Sequence, residues 1–235
     1  DFRDFSIDPI HLNLQKHGLS FLVVDTNTPH ALAHNGFADR RAASESCAKA
    51  LGLTFLRDAL PEDLSCAHHD EREAKEWRLE LVDSSVNRSL TALEEREGPA
   101  TFPRGWVRHA FHDMTLVGRA SYLLKHADEL GYRAFEEAGR IFTESFISMR
   151  DELRVSRPEI DTAVEACLTH GALGARIVGG GFGGAVMALV KKSRLEETAQ
   201  AIAQAYAEHG YAEPRFLPMV AGFPADCDWL SENFR

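Results

Sequence analysis

In the stretch Gly174–Lys192, GARIVGGGFGGAVMALVKK, residues 179–184 are five glycines and one phenylalanine held between two apolar runs of strand length. A flexible linker would be flanked by polar residues, and this loop is not. Glycine supplies positive φ and lets another group approach the main chain, because no Cβ intervenes. Successive backbone N–H groups in such a turn can form an anion-binding concavity. The same composition also suits a hairpin that needs a bulge and a sharp turn. A Walker A loop is excluded, since no Gly-Lys-Ser/Thr follows, and so is a GxGxxG opening a helix, since the strand-like AVMALV follows. Local chemistry leaves the hairpin and the phosphate loop both open.

Outward from the loop, the pattern predicts grouped helices beside strands. HGLSFLVVDTNTPHAL, His17–Leu32, contains an apolar run bounded by turn formers and predicts a buried strand, with DFRDFSI a weaker one before it. From Asn35 an N-cap candidate, spaced alanines and a closing Gly52 predict a helix. Two long helices follow, Trp106–Leu130 and Tyr132–Leu153, broken at Gly131. RPEIDTAVEACLTHG predicts another, with Pro158 in its first turn. Beyond the glycine loop come a helix over Ser193–His209 and a strand near Arg215–Val220. Strict βαβ alternation is absent, so the order predicts an α+β fold with helices packed on an antiparallel sheet.

The chain has 235 residues and a formal net charge of −10, with 44% hydrophobic and 26% charged residues. That is the composition of an ordinary globular protein. No basic excess exists to neutralise phosphates, so nucleic acid and anionic membrane are not expected partners. Cys47, Cys66, Cys167 and Cys227 contain no CxxC pair and are read as reduced thiols. Neither an apolar run of transmembrane length nor a signal-peptide pattern stands out, and a cytoplasmic location is expected. The adjacent His68 and His69 lack the helical ligand spacing of a metal site, so no metal-binding residue is assigned. Residue 1 is Asp, which predicts a trimmed chain or a fragment.

GARIVGGGFGGAVMALV resembles the third, glycine-rich motif of the galactokinase branch of the GHMP sugar and metabolite kinases. Three further blocks agree, in the family's order. VVDTNTPHAL with FADRRAASESCAKALG resembles its strand, His-x-Leu and Tyr-x-x-Arg-Arg helix, with His30, Arg40, Arg41 and Glu45 in place. VRHAF, Val107–Phe111, resembles its Arg-Ala-Arg-His helix, and SFISMRDELRVSRPEID, Ser145–Asp161, its Ser-Leu-Arg-Asp-Asp-Tyr-x-Val-Ser-Cys-Pro-Glu block. The segment from about 61 to 105, strongly charged over 61–100 and predicted to be helical, is more diverged.

The resemblance implies a GHMP kinase C-terminal, ferredoxin-like domain with extra helices over residues 19–235, after a remnant of the N-terminal lobe and connecting strand at 1–18. It also implies ATP with Mg²⁺ as cofactors and transfer of a phosphoryl group to galactose, giving galactose 1-phosphate. The family's ATP loop, sugar-binding segment and catalytic Asp have no counterpart here, so no catalytic residue is assigned, the N-terminal lobe is the expected partner, and this portion is expected to be inactive alone. Phe37 falls where the family's sugar-contacting Tyr stands, and Gly179, Gly180, Gly181, Phe182, Gly183 and Gly184 fall on its nucleotide-supporting loop.

Departures keep two alternatives open. Phe37 can stack on a sugar but offers no hydroxyl, so arabinose, galacturonate or N-acetylgalactosamine compete with galactose. Val178 replaces a Thr and Phe146 a His, which suits a non-catalytic sugar- or nucleotide-binding regulator. Arg40 and Arg41 are expected to form a solvated face with carboxylate partners, and Arg150, Asp151, Glu159 and Asp161 capping and ion-pair contacts.

Overall fold

The computed structural model describes residues 7, 9–29, 37–50, 52–59, 91 and 104–219. The charged segment 61–100 apart from Thr91, the opening DFRDFS, His30, His68, His69, Cys66 and Cys227 lie outside the described residues.

Four strands, β1 (Leu19–Asp25), β2 (Gly174–Val178), β3 (Ala185–Lys191) and β4 (Arg215–Met219), form one sheet in the order β2-β3-β1-β4. Every neighbouring pair is antiparallel. The helices are α1 (Phe37–Ala50), α2 (Arg104–Lys125), α3 (Ala127–Leu130), α4 (Tyr132–Asp151), α5 (Pro158–Thr169) and α6 (Leu195–His209). The fold is the expected α+β arrangement of helices on an antiparallel sheet.

Alternation along each strand sends side chains to opposite faces, and both faces are covered. On one face Leu22, Val24, Ala175, Ile177, Val186 and Ala188 pack with Ile160 and Val164 of α5 and Ile202 and Tyr206 of α6. On the other, Leu19 and Leu189 pack with Ala134, Phe135 and Phe142 of α4. Helix α4 also sends Phe146 and Met149 into the first core. Phe146 is thus a packing residue, 3% exposed.

Helix α4 approaches β2 at two glycines. A Cβ on Gly174 would overlap the carbonyl of Gly139, and one on Gly139 would lie 2.5 Å from the Leu173 carbonyl carbon. Only paired glycines allow this spacing.

The predicted helix Trp106–Leu130 is interrupted at His126. The amide and the ring Nδ1 of His126 lie 3.1 and 2.9 Å from the same carbonyl, that of Tyr122. The ring thus shares a backbone acceptor with its own amide at the point where α2 gives way to α3. Pro158 opens α5 as expected. Predicted edges elsewhere differ from the observed ones by one to two residues or by a short 3₁₀ turn, as at Lys192–Arg194 before α6.

Candidate functional site

The β2–β3 connection is a hairpin whose last pair is Val178 with Ala185, bridged by residues 179–184. Positive φ recurs along it: 85° at Gly179, 77° at Gly181, 61° at Phe182, 130° at Gly183 and 86° at Gly184. Phe182 is the single non-glycine in the left-handed region here, and its neighbours hold it there. Its N–H donates to the Val155 carbonyl at 2.7 Å, and its ring is buried at 6% exposure.

The loop has an anchored half and an open tip. A Cβ on Gly181 would meet Val155 at 2.6 Å, and one on Gly183 would meet the Thr28 and Pro29 carbonyls at 2.9 Å. Thr26 Oγ1 donates to the Gly184 carbonyl at 2.6 Å, and the Thr26 amide donates to the same oxygen at 2.9 Å. By contrast Gly179 and Gly180 are exposed, with open space around Gly179. The hairpin is therefore a fact of the fold, and its tip leaves glycine backbone accessible to a ligand.

Beside this tip lies a groove of about 520 Å³ lined by Asp25, Asn27, Thr28, Val178, Gly184 and Ala185 among others. Asn27 stands at φ 52°, its amide donating to Asp25 Oδ1 at 3.0 Å. Val178, 43% exposed, presents an apolar surface beside the tip.

Helix α1 reaches the loop through Arg40. Its Nε donates to the Leu153 carbonyl at 2.7 Å and its Nη2 to the Arg154 carbonyl at 2.9 Å. The guanidinium carbon lies 4.5 Å from the ring centre of Trp106 and 4.9 Å from that of Phe182. Burial pulls the Arg40 pKa below its ordinary value, with Asp39 opposing and Arg154 adding to the effect. The expected solvated arginine pair is therefore split. Arg41 keeps a carboxylate partner, Glu45, at 2.8 Å and 75% side-chain exposure, whereas Arg40 is a half-buried clamp on carbonyl oxygens.

Phe37 is the first residue of α1, and its side chain lies outside the described residues. Arg150 and Asp151 form a two-point ion pair at 2.7 and 3.0 Å, and the Arg150 hydrogen bond holds the Asp151 carboxyl below its usual range. The Asp161 carboxylate accepts from Ser156 Oγ, and Glu159 uses its carbonyl to accept from Tyr206 Oη at 2.6 Å.

A second polar cluster, at the α2–α4 contact, had no signature in the sequence beyond VRHAF. Ser148 Oγ donates to Glu152 Oε2 at 2.7 Å and lies 3.0 Å from His109 Nδ1. The hydroxyl has one proton and gives it to the carboxylate, so His109 carries its proton on Nδ1. Ser145 Oγ donates to Asp113 Oδ1 at 2.6 Å. Arg108 lies 3.4 Å from Glu152.

Among the described residues, no group of three or more His, Cys, Asp or Glu is arranged to hold a metal, and no helix is long and apolar enough to cross a membrane. Cys47 and Cys167 are buried free thiols, pushed up to about 11 and about 12 by burial, which suits inert core residues.

Residues 108–211 match the family described as GHMP kinases C terminal. The galactokinase of Streptomyces coelicolor is 33% identical over 220 residues, covering 94% of this chain and 49% of that protein. The galactokinase of Mycobacterium tuberculosis is 31% identical over 214 residues, covering 91% and 50%. That of Bos taurus is 32% identical over 195 residues, covering 83% and 41%. The chain spans about half the length of the curated relatives it matches. Among solved structures, Lactococcus lactis galactokinase complexed with galactose superposes with a TM-score of 0.64 at 23% identity, over 91% of this chain and 47% of that one, a likeness of fold. With the glycine hairpin and its supporting helices, residues 108–211 are similar to the C-terminal domain of GHMP kinases, and the chain aligns with galactokinases over nearly its whole length.

Proposed function

We propose that this chain is the C-terminal part of a galactokinase, which transfers the γ-phosphoryl of ATP to the anomeric hydroxyl of galactose in the cytoplasm. The observation that carries this reading is 33% identity to a galactokinase along 94% of the chain. The ATP loop and the catalytic carboxylate are assigned to sequence outside these 235 residues.

On this reading, the exposed Gly179 and Gly180 back the phosphate side of the cleft. Phosphoryl transfer depends chiefly on positioning and on stabilising spreading negative charge, and an amide-lined tip without side chains can come close to phosphate oxygens. ATP with Mg²⁺ supplies the transferable group and part of its charge neutralisation. The rigid half, Gly181–Gly184, keeps the tip from yielding as a ligand approaches, which conserves binding energy for orientation. Phe37, at the start of α1, takes the sugar side, where an aromatic face can cover the apolar face of a hexose.

The missing hydroxyl at Phe37 favours testing neighbouring sugars. An assay of the full-length protein with ATP against galactose, arabinose, galacturonate and N-acetylgalactosamine should give its highest kcat/KM with galactose. Preference for another sugar would move the protein to a different branch of the same kinases. No turnover with any sugar would favour a non-catalytic regulator. The 235-residue chain alone should show no turnover, and activity matching the full-length enzyme would overturn the division of labour.

A further inference from the structure

We infer that Arg40 is a positioning residue for the nucleotide side of the cleft, setting the pose of the glycine loop from helix α1. The inference rests on the galactokinase reading above and adds a residue that touches neither sugar nor phosphate in that scheme.

Three contacts converge. The guanidinium lies over both Trp106 of α2 and Phe182 of the loop, at 4.5 and 4.9 Å from the ring centres. Two of its N–H groups hold the Leu153 and Arg154 carbonyls, in the turn between α4 and α5. The next residue, Val155, is the one whose carbonyl takes the Phe182 amide at 2.7 Å. Phe182 is therefore fixed twice through Arg40: its ring directly, and its main chain through the turn that Arg40 grips.

A phenylalanine at φ 61° pays a steric penalty that glycine would not, so this conformation persists only where the surroundings over-determine it. The glycines make the loop geometry possible; the clamp selects one geometry among those they allow. Arginine suits the task because its planar fork holds two carbonyls while its faces stack on rings, whereas lysine offers a single point charge. Arg40 also lies one turn beyond Phe37 on α1, so the sugar-side helix and the phosphate-side loop share one fastening.

The test uses the full-length protein carrying Arg40→Lys and Arg40→Gln, with circular dichroism confirming folding. Expected are a KM for ATP raised about tenfold in both, a KM for galactose changed by less than about twofold, and faster amide exchange in the peptide holding Phe182. Lysine should fail to rescue. A merely structural role would lower kcat through a smaller active fraction and leave the KM for ATP unchanged. That result, or equal rises in both KM values, or rescue by lysine, would overturn the inference. If the wild-type protein phosphorylates no sugar, the galactokinase reading fails on its own account. ATP dissociation constants and Phe182 exchange in the same variants then decide the role of Arg40, and no change in either would reject it.

Discussion

His109 shows how one side chain can make the molecule sensitive to pH without standing in the cleft. It is 8% exposed and joins α2 to α4 through Ser148 and Glu152. Burial lowers its pKa, with His112 and Arg176 acting in the same direction and Asp113 and Glu152 opposing. The unfolded chain titrates this imidazole near the ordinary value of about 6.5. Between that value and the lower folded one, the unfolded state binds the extra proton, so stability falls as pH falls. The contribution is fully present above about pH 6.5 and is lost progressively below it, at no more than about 1.4 kcal/mol per pH unit for one proton. Urea melts of the wild type from pH 7.5 to 5 should show this loss. His109→Asn, whose amide N–H replaces Nδ1 without a charge change, should flatten the slope; an unchanged slope would reassign it to other groups.

At the scale of elements, the α4–β2 contact depends on two glycines meeting. Gly174→Ala places a methyl on the Gly139 carbonyl, and relief requires moving a helix from a strand. Overpacking of this kind costs about 3 kcal/mol or more when backbone must shift. Gly179→Ala, with open space around it, meets only the left-handed φ and should cost about 1 kcal/mol. Equal losses in denaturant midpoint for the two variants would contradict the close-packing account. What was readable in the sequence divides along the same line. The runs flanking residues 179–184 carry strand length and apolar character locally, and Pro158 marks a helix start by its own chemistry. The hairpin half of the loop's two readings was therefore legible. Arg40 was not, because its carbonyl partners lie 113 and 114 residues away and are backbone atoms that any residue presents. The break at His126 coincides with a ring reaching its own helix's carbonyl, a contact that the apolar spacing around it does not encode. Val155 gave no signal either, since its role in holding Phe182 is played by a carbonyl.

At the scale of the whole molecule, the sheet makes its two cores one cooperative unit. Alternate residues of β1 serve opposite sides: Leu22 and Val24 join α5 and α6, while Leu19 and the half-buried Phe21 join α4. Helix α4 ties the same two sides together by sending Phe135 and Phe142 into one core and Phe146 and Met149 into the other. Losing either core therefore strips one face from strands that the other still needs. Ile160→Ala, at 0% exposure in the first core, and Phe135→Ala, at 1% in the second, should each cost about 3–4 kcal/mol. Both should shift a single transition, with near-UV and far-UV circular dichroism remaining coincident. If Phe135→Ala instead melts an α2–α4 unit while the α5–α6 side stays folded, the sheet does not couple its faces. Arg40, which links α1 to the turn between α4 and α5, would then be fastening parts that move independently, and its hold on the glycine loop would weaken well below the global transition.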